Sequence, residues 1–522
     1  MDDSKFTQNV RVRLAPSPTG WIHIGTIRQI IFNYLWAKKT NGKFILRVED
    51  TDVKRNVPGG IDSIYETFDA FGVEVDEGPK TGGDYGPYIQ SERLDLYKKY
   101  ADELIEKSDA YYCFCSEERL KQLREEQISK KLQPMYDGEC RDISLKEARE
   151  RIEKGEKPVI RLKVPKTGFT EYEDVLHGKL RFKNSVMDDQ VLLKSDGFPT
   201  YIFAVVIDDH LMEISHVIRG EEYLSSAPKI SMIYRALGWD EPYIVQTPNV
   251  LNPDGKKKLS KRDGDSSAAR YLRKGYLVEA LWNYLVLLGW APSDKDGNTD
   301  EIYSRNELVK LFDLRRIQKA GARFLPEKLN HFNGIYIRKL GIDDLYNRLI
   351  DWAERFVVHE FISDKVIGYS DWEKALIEKV QRYVVEWKNN RDLTIKALIL
   401  IQERTSVLSD IPFQLSFVYE DNLNYSKEDF ESLKYDKKKD VLESLWENLK
   451  PIVEKEWKQK SWEKAIRDTA DEFEWKHGDM FMLLRLAVIG SRFSPPLLES
   501  MELIGVERCN KLVSDAIKFL GK

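Results

Sequence analysis

The chain has 522 residues, 42% of them hydrophobic and 32% charged, with a net charge of −5. That length suits several buried cores, roughly three or four domains at ~100–200 residues each. The mild acidity excludes a globally basic nucleic-acid binder but leaves room for local basic patches. No apolar run reaches the ~20 residues a bilayer span needs. Met1-Asp2-Asp3-Ser4-Lys5 has no apolar signal region, and four cysteines do not make a secreted disulfide scaffold. The expectation is a cytoplasmic, soluble protein with no membrane partner.

Val10, Val12 and Leu14 alternate with arginines and predict a half-buried strand. Pro16, Pro18 and Gly20 then forbid helix and sheet and force a shaped loop. A helix follows, with Thr26 near its start and Ile27, Ile30, Ile31 and Tyr34 on one face. Strand, rigid loop and helix N-terminus together make a phosphate-binding geometry. His23 and Gly25 sit at its mouth, in a pattern that is neither a Walker loop nor a dinucleotide fingerprint. Phe44 to Val48 predicts a second strand, ending in Glu49-Asp50-Thr51-Asp52, where ligands bind in open α/β sheets. After the Gly82–Pro87 turn, Leu94, Tyr97, Ala101 and Leu104 form one helical stripe.

Residues 109–188 break this rhythm. Cys113 and Cys115 come first, then a charged helix from Glu117 to Lys131, Tyr136 and Cys140, and an α+β stretch around Val159–Pro165. The α/β pattern resumes at Val191-Leu192-Leu193. Ile202 to Ile207 reads as a strand running into Asp208-Asp209-His210, and Ile214 to Ile218 as another ending on Arg219. Asp254 to Gly264 is a basic loop flanked by Gly255 and Gly264, either a solvated turn or a mobile phosphate clamp. From Ala268 to Asn330 the pattern is helical around an apolar run containing Trp282 and Trp290. From Asn333-Gly334 onward it is all-helical. Basic clusters at Asp436–Lys439 and Lys455–Lys464, the second with Trp457 and Trp462, predict solvated faces, or phosphate and stacking contacts.

Ala15-Pro16-Ser17-Pro18-Thr19-Gly20 followed by His23-Ile24-Gly25-Thr26 resembles the first signature of bacterial-type class I glutamyl-tRNA synthetases. Lys258-Leu259-Ser260-Lys261-Arg262 resembles the second, in the order and at the distance the family requires. Thr26 replaces the second His of the general class I signature, as is common in the glutamate branch. Gly490–Glu499 resembles the family's C-terminal helical domain.

The resemblance implies an α/β fold: a Rossmann-like catalytic domain (1–108 and 189–250) with an α+β insertion (109–188) that meets the acceptor end of tRNA. A second-signature loop and helical stem-contact region (251–334) and an all-helical anticodon-binding half (335–522) follow. It also implies a glutamate–tRNA ligase, a monomer taking L-glutamate, ATP with Mg²⁺, and tRNA(Glu). His23 and Lys261 are the implied catalytic residues, with Gly25 and Lys258 also at ATP. Arg13, Ser17, Glu49, Tyr201 and Arg219 are implied at glutamate. The alternatives are a glutaminyl enzyme, a truncated tRNA-modifying paralogue and a catalytically silent tRNA-binding module. Cys113-x-Cys115 with Tyr136-x₃-Cys140 resembles a zinc-binding arrangement of some relatives. Without it, the three thiols read as small buried residues.

Overall fold

The computed structural model describes residues 3–259, 267–292, 301–455, 459–492 and 495–521. It divides into two compact units, one of residues 1–268 and 281–326, the other of residues 269–280 and 327–522.

The first unit is built on a six-stranded sheet. Strand β1 (Arg11–Leu14) leads through the proline loop into helix α1 (Ile24–Lys39) and back to β2 (Lys43–Leu46) in parallel with β1. Helix α2 (Leu94–Glu106) buries Tyr97, Ala101 and Leu104, the stripe the sequence predicts. The inserted stretch then supplies β3 (Ala110–Cys113), α3 (Glu117–Ser129), β4 (Val159–Leu162) and the hairpin β5 (Phe169–Asp174) and β6 (Gly178–Lys183), and β7 (Val191–Leu193) follows it. Strands β3, β4 and β7 form a separate antiparallel sheet. Helix α4 (Tyr201–Leu211), strand β8 (His216–Gly220), helix α5 (Ala227–Leu237) and β9 (Tyr243–Thr247) complete the α/β pattern. A two-stranded ribbon, β10 (Val250–Leu251) with β11 (Ala322–Arg323), lies beyond it.

The main sheet runs β2-β1-β8-β9-β5-β6. The chain leaves β1 toward β2 on one side and later returns at β8 on the other. The order therefore reverses between β1 and β8, and the crevice past their carboxyl ends is where open α/β sheets bind ligands.

Two expectations are corrected here. Ile202 to Ile207 is not a strand but the body of helix α4, and Asp208 and Asp209 are in its last turn. The stretch from Ile202 to Asp209 is buried without interruption, so it shows no 3.6-residue alternation. A short run apolar on every side reads equally as a strand. The next strand starts at His216 and carries Arg219 within it, rather than ending before it.

The second unit is helical throughout its described residues after Glu327. Residues 269–280 are held in it by Arg273, which is fully buried and bonds Asp364 (2.6 Å) and Glu373 (3.1 Å). Leu277 and Gly275 are fixed by Asn333 and Leu408. Trp462, which the sequence places on a solvated or nucleic-acid-contacting face, is 1% exposed and belongs to the core. Trp457 lies outside the described residues. No described helix is long and apolar enough to cross a membrane.

Candidate active site

The proline loop between β1 and α1 is fastened from below. Glu49 N–H bonds Pro16 O (3.0 Å), Val57 N–H bonds Pro18 O (3.1 Å) and the Ser63 hydroxyl bonds Gly20 O (2.8 Å). Gly20 has φ 90°, a conformation that a residue with a Cβ rarely adopts. His23 is the N-cap of α1, and its Nδ1 accepts the Gly25 N–H at 2.9 Å. An accepting Nδ1 puts the proton of a neutral ring on Nε2, leaving that nitrogen as a donor. A Cβ on Gly25 would lie 3.1 Å from His23 Nδ1, so the glycine makes room for the folded-back imidazole.

Past the ends of β1 and β8 lies a cleft of about 790 Å³. Arg13, Pro16, Ser17, Thr19, Gly20, His23, Thr26, Glu49, Tyr201 and Arg219 all line it. Pro18 and Ile24 instead brace the loop and helix from within, Ile24 being fully buried. A second cleft of about 370 Å³ shares His23, Thr26 and Gln29 with the first and adds Gly25, Val250, Lys258 and Leu259. Both signatures therefore border one continuous region. Lys258 pairs with Glu222 at 2.8 Å. Ser260, Lys261 and Arg262 lie outside the described residues. On either side of them, Leu259 N–H bonds Val250 O (2.8 Å) and Ala268 N–H bonds Ile22 O (3.0 Å).

Beneath the larger cleft is a charge network. Asp209 receives Arg13 through two bonds (3.0 and 3.2 Å) and Arg47 through one (2.6 Å). Arg47 also reaches Glu49 at 3.2 Å, while Arg93, Gln90 and Tyr97 converge on Asp208. Burial pushes the Glu49 carboxyl up to about 7, even though Arg47 and Arg13 pull it down. Burial also keeps the Tyr201 phenol well above its ordinary range. Its ring stacks on Tyr223 at 5.1 Å, and the Arg219 guanidinium lies 5.2 Å over the Tyr223 ring.

Arg219 differs from Arg13 in the cleft and Arg47 beneath it. It is 6% exposed, yet its Nε and Nη1 have no partner among the described residues. Arg13 and Arg47 are offset by Asp209 and Glu49, so Arg219 is the surplus buried cation of the larger cleft. Sequence reading missed Arg47, Tyr223 and the receiving role of Asp209. The signal for Arg47 was a charged residue inside the apolar run Phe44–Val48.

In the insertion, Cys113, Cys115 and Cys140 come together, with their sulfurs within 4.8 Å of one another. The Tyr136 hydroxyl stands 3.4 Å from Cys113 Sγ and 3.5 Å from Cys115 Sγ, and Cys115 Sγ is 3.6 Å from Cys140 Sγ. Donors at ~2.3 Å (sulfur) and ~2.0 Å (oxygen) around one tetrahedral centre stand about 3.5–3.8 Å apart, so the set fits a four-coordinate metal. Burial pushes the Cys113 thiol up, but hydrogen bonds from Tyr136 and Arg161 outweigh it and hold the thiol below its ordinary value. Burial takes Cys115 up to about 11.

The fold and the cleft at the strand reversal define a class I aminoacyl-tRNA synthetase catalytic domain. Residues 9–331 match the family described as tRNA synthetases class I (E and Q), catalytic domain, and residues 375–517 match an anticodon binding domain. A glutamate–tRNA ligase of Dehalococcoides mccartyi is 42% identical over 99% of both chains. One of Clostridium acetobutylicum is 39% identical over 98% of this chain and 99% of that one. The crystal structure of a glutamate tRNA ligase from Elizabethkingia meningosepticum, in complex with its amino acid, superposes with a TM-score of 0.77 at 33% identity. It covers 98% of this chain and 100% of that one. The chain belongs to the glutamate–tRNA ligase family of class I aminoacyl-tRNA synthetases.

Proposed function

We propose that this chain ligates L-glutamate to tRNA(Glu) in two steps. A carboxylate oxygen of glutamate attacks the α-phosphorus of ATP, which enters with Mg²⁺, and pyrophosphate leaves. A hydroxyl of the terminal ribose of tRNA then attacks the acyl carbon, and AMP leaves. Neither step needs a covalent protein intermediate; both need alignment and stabilisation of charge on the reacting phosphate or acyl group.

The observation that carries this reading is Arg219, a buried guanidinium with donors unspent, facing the cleft at the strand reversal. A guanidinium binds a carboxylate bidentately. Glutamate brings a net charge of −1 and cancels the surplus cation, whereas glutamine brings none. Arg13 offers its Nη1, the nitrogen that Asp209 leaves unengaged. Glu49 receives the substrate ammonium, and Ser17 and Tyr201 hydrogen-bond the amino acid. His23 donates from Nε2 to a phosphate oxygen. Gly25 lets the nucleotide approach the start of α1. Lys258 and Lys261 stabilise phosphate charge. The experiment is pyrophosphate exchange into ATP with purified protein. Exchange dependent on glutamate and on tRNA supports the reading, and its absence under both conditions refutes it. A silent tRNA-binding module is not favoured, since it has no use for an intact cleft of this kind.

The five-part division of the chain belongs to the same proposal. The insertion meets the acceptor end, and the helical half from about residue 335 recognises the anticodon arm. The protein acts as a cytoplasmic monomer. Cys113, Cys115, Tyr136 and Cys140 would hold zinc, which when bound contributes folding energy and no chemistry. The four residues belong to the insertion, apart from the ATP cleft linings. Elemental analysis of protein purified without chelator tests this, with about one zinc per chain expected and loss in Cys113→Ser.

A further inference from the structure

Arg161, on β4, is a buried charge in search of a counter-charge. It is 6% exposed, and no carboxylate lies within ion-pair distance of it among the described residues. Its Nη1 donates to a backbone carbonyl, Asp189 O, at 2.9 Å, and its Nε has no partner. Its nearby electrostatic partners are side chains of the cysteine cluster and its surroundings. The guanidinium lies 4.1 Å over the Tyr136 ring, and the Cys113 thiol is among the groups acting on it electrostatically. The other arginines nearby are already offset. Arg141 pairs with Asp189 (2.5 Å), Arg119 with Asp137 (2.5 Å) and Arg151 with Glu156 (2.7 Å).

A buried, unpaired cation is costly, and removing a guanidinium from water is normally repaid by an anion in contact. The metal-loaded cage supplies that anion. Three neutral thiols and a phenol carry no charge and leave Arg161 uncompensated. Three thiolates around a divalent cation carry −1 with a phenol as the fourth ligand and −2 with a phenolate, so the loaded cage is anionic in either form and offsets the +1 of Arg161.

We propose that Arg161 is the counter-ion of a metal-loaded Cys113–Cys115–Tyr136–Cys140 cage, a positioning residue that sets how tightly the metal is held. The inference rests on the zinc reading above and goes beyond it. It assigns the cage a net negative charge and names the residue tuned to it. The stack on Tyr136 adds a geometric element. A planar cation over the ring holds the phenol in place, with its oxygen facing Cys113 and Cys115. Partners of this kind, one layer outside the ligands, typically change metal affinity by about 10- to 100-fold.

The test is competition for zinc between full-length protein and a chromophoric chelator, with cobalt substitution as an independent view of the ligand set. Arg161→Met, close in volume without the charge, should weaken zinc binding at least about tenfold. It should keep one site per chain and the cobalt–thiolate charge-transfer band. Arg161→Lys, which keeps the charge and loses the stack, should fall between. Arg149→Met, which removes an exposed arginine paired with Glu106, should match the wild type. Circular dichroism and cobalt spectra separate a weakened site from a misfolded insertion, and if Arg161→Met fails to fold, Arg161→Lys carries the comparison. Wild-type zinc affinity in well-folded Arg161→Met, or in Arg161→Lys where the methionine variant does not fold, overturns the inference and leaves the zinc reading standing. Absence of a zinc site in the wild type itself overturns both.

Discussion

Glu49 offers the sharpest pH test of the amino-acid pocket. Its carboxyl is buried and held at about 7 rather than near 4.5, and it is proposed to receive the ammonium of glutamate. Only the ionised form can do so with full charge. With a midpoint near 7, about a tenth of Glu49 is ionised at pH 6 and about nine-tenths at pH 8. The affinity for glutamate should therefore fall about tenfold from pH 8 to pH 6, close to 1.4 kcal/mol. Calorimetric titration of the enzyme with glutamate measures this. Glutarate, which lacks the ammonium, provides the control: its binding should not weaken as pH falls over that range. The folding linkage has the opposite sign. Because the folded pKa is raised, the folded state holds the proton longer, and Glu49 costs stability as pH rises from about 4.5 to about 7. Glu49→Gln should then be more stable than the wild type at pH 8 while binding glutamate weakly at every pH. Parallel pH dependence for glutamate and glutarate would refute the assignment of Glu49 to the ammonium.

Three further outcomes follow from named contacts. Arg219→Ala removes the surplus buried cation and should cost ~2–5 kcal/mol in glutamate use, with ATP binding far less affected; steady-state kinetics in each substrate separates the two. Lys261→Ala should lower the rate of adenylate formation by roughly 10²-fold or more with a small change in ATP KM, read by single-turnover kinetics. Arg273→Met leaves Asp364 buried without its cation and Glu373 with Arg270 alone, and should destabilise the helical unit by ~3–5 kcal/mol, visible in denaturant unfolding.

The signatures were legible in the sequence because each is a local device. The first is a strand, a loop stiffened by prolines and a helix start, and the structure has these elements in that order. Cys-x-Cys with Tyr-x₃-Cys was readable only through its resemblance to the zinc-binding arrangement of some relatives, and the fold brings all four side chains together. What was not legible depends on elements distant in sequence. Helix α4 is walled in on all sides, so the periodicity that reveals a helix was erased between Ile202 and Asp209. Misreading it also concealed why Asp209 matters, because from the last turn of a helix it reaches back to Arg13 and Arg47, 196 and 162 positions away. The distinction among the pocket arginines was equally out of reach. Arg13 and Arg219 look alike as letters, and only the fold reveals that one is offset by Asp209 and the other is not.

The central claim is tested most directly by charging. Purified protein, ATP, Mg²⁺ and tRNA(Glu) are incubated with labelled glutamate or labelled glutamine, and acid-stable counts on tRNA are followed together with AMP release. The account predicts glutamyl-tRNA formed with stoichiometric AMP, and no charging with glutamine, which cannot neutralise Arg219. Charging with glutamine at a comparable rate, or tRNA left uncharged by both amino acids, would contradict it.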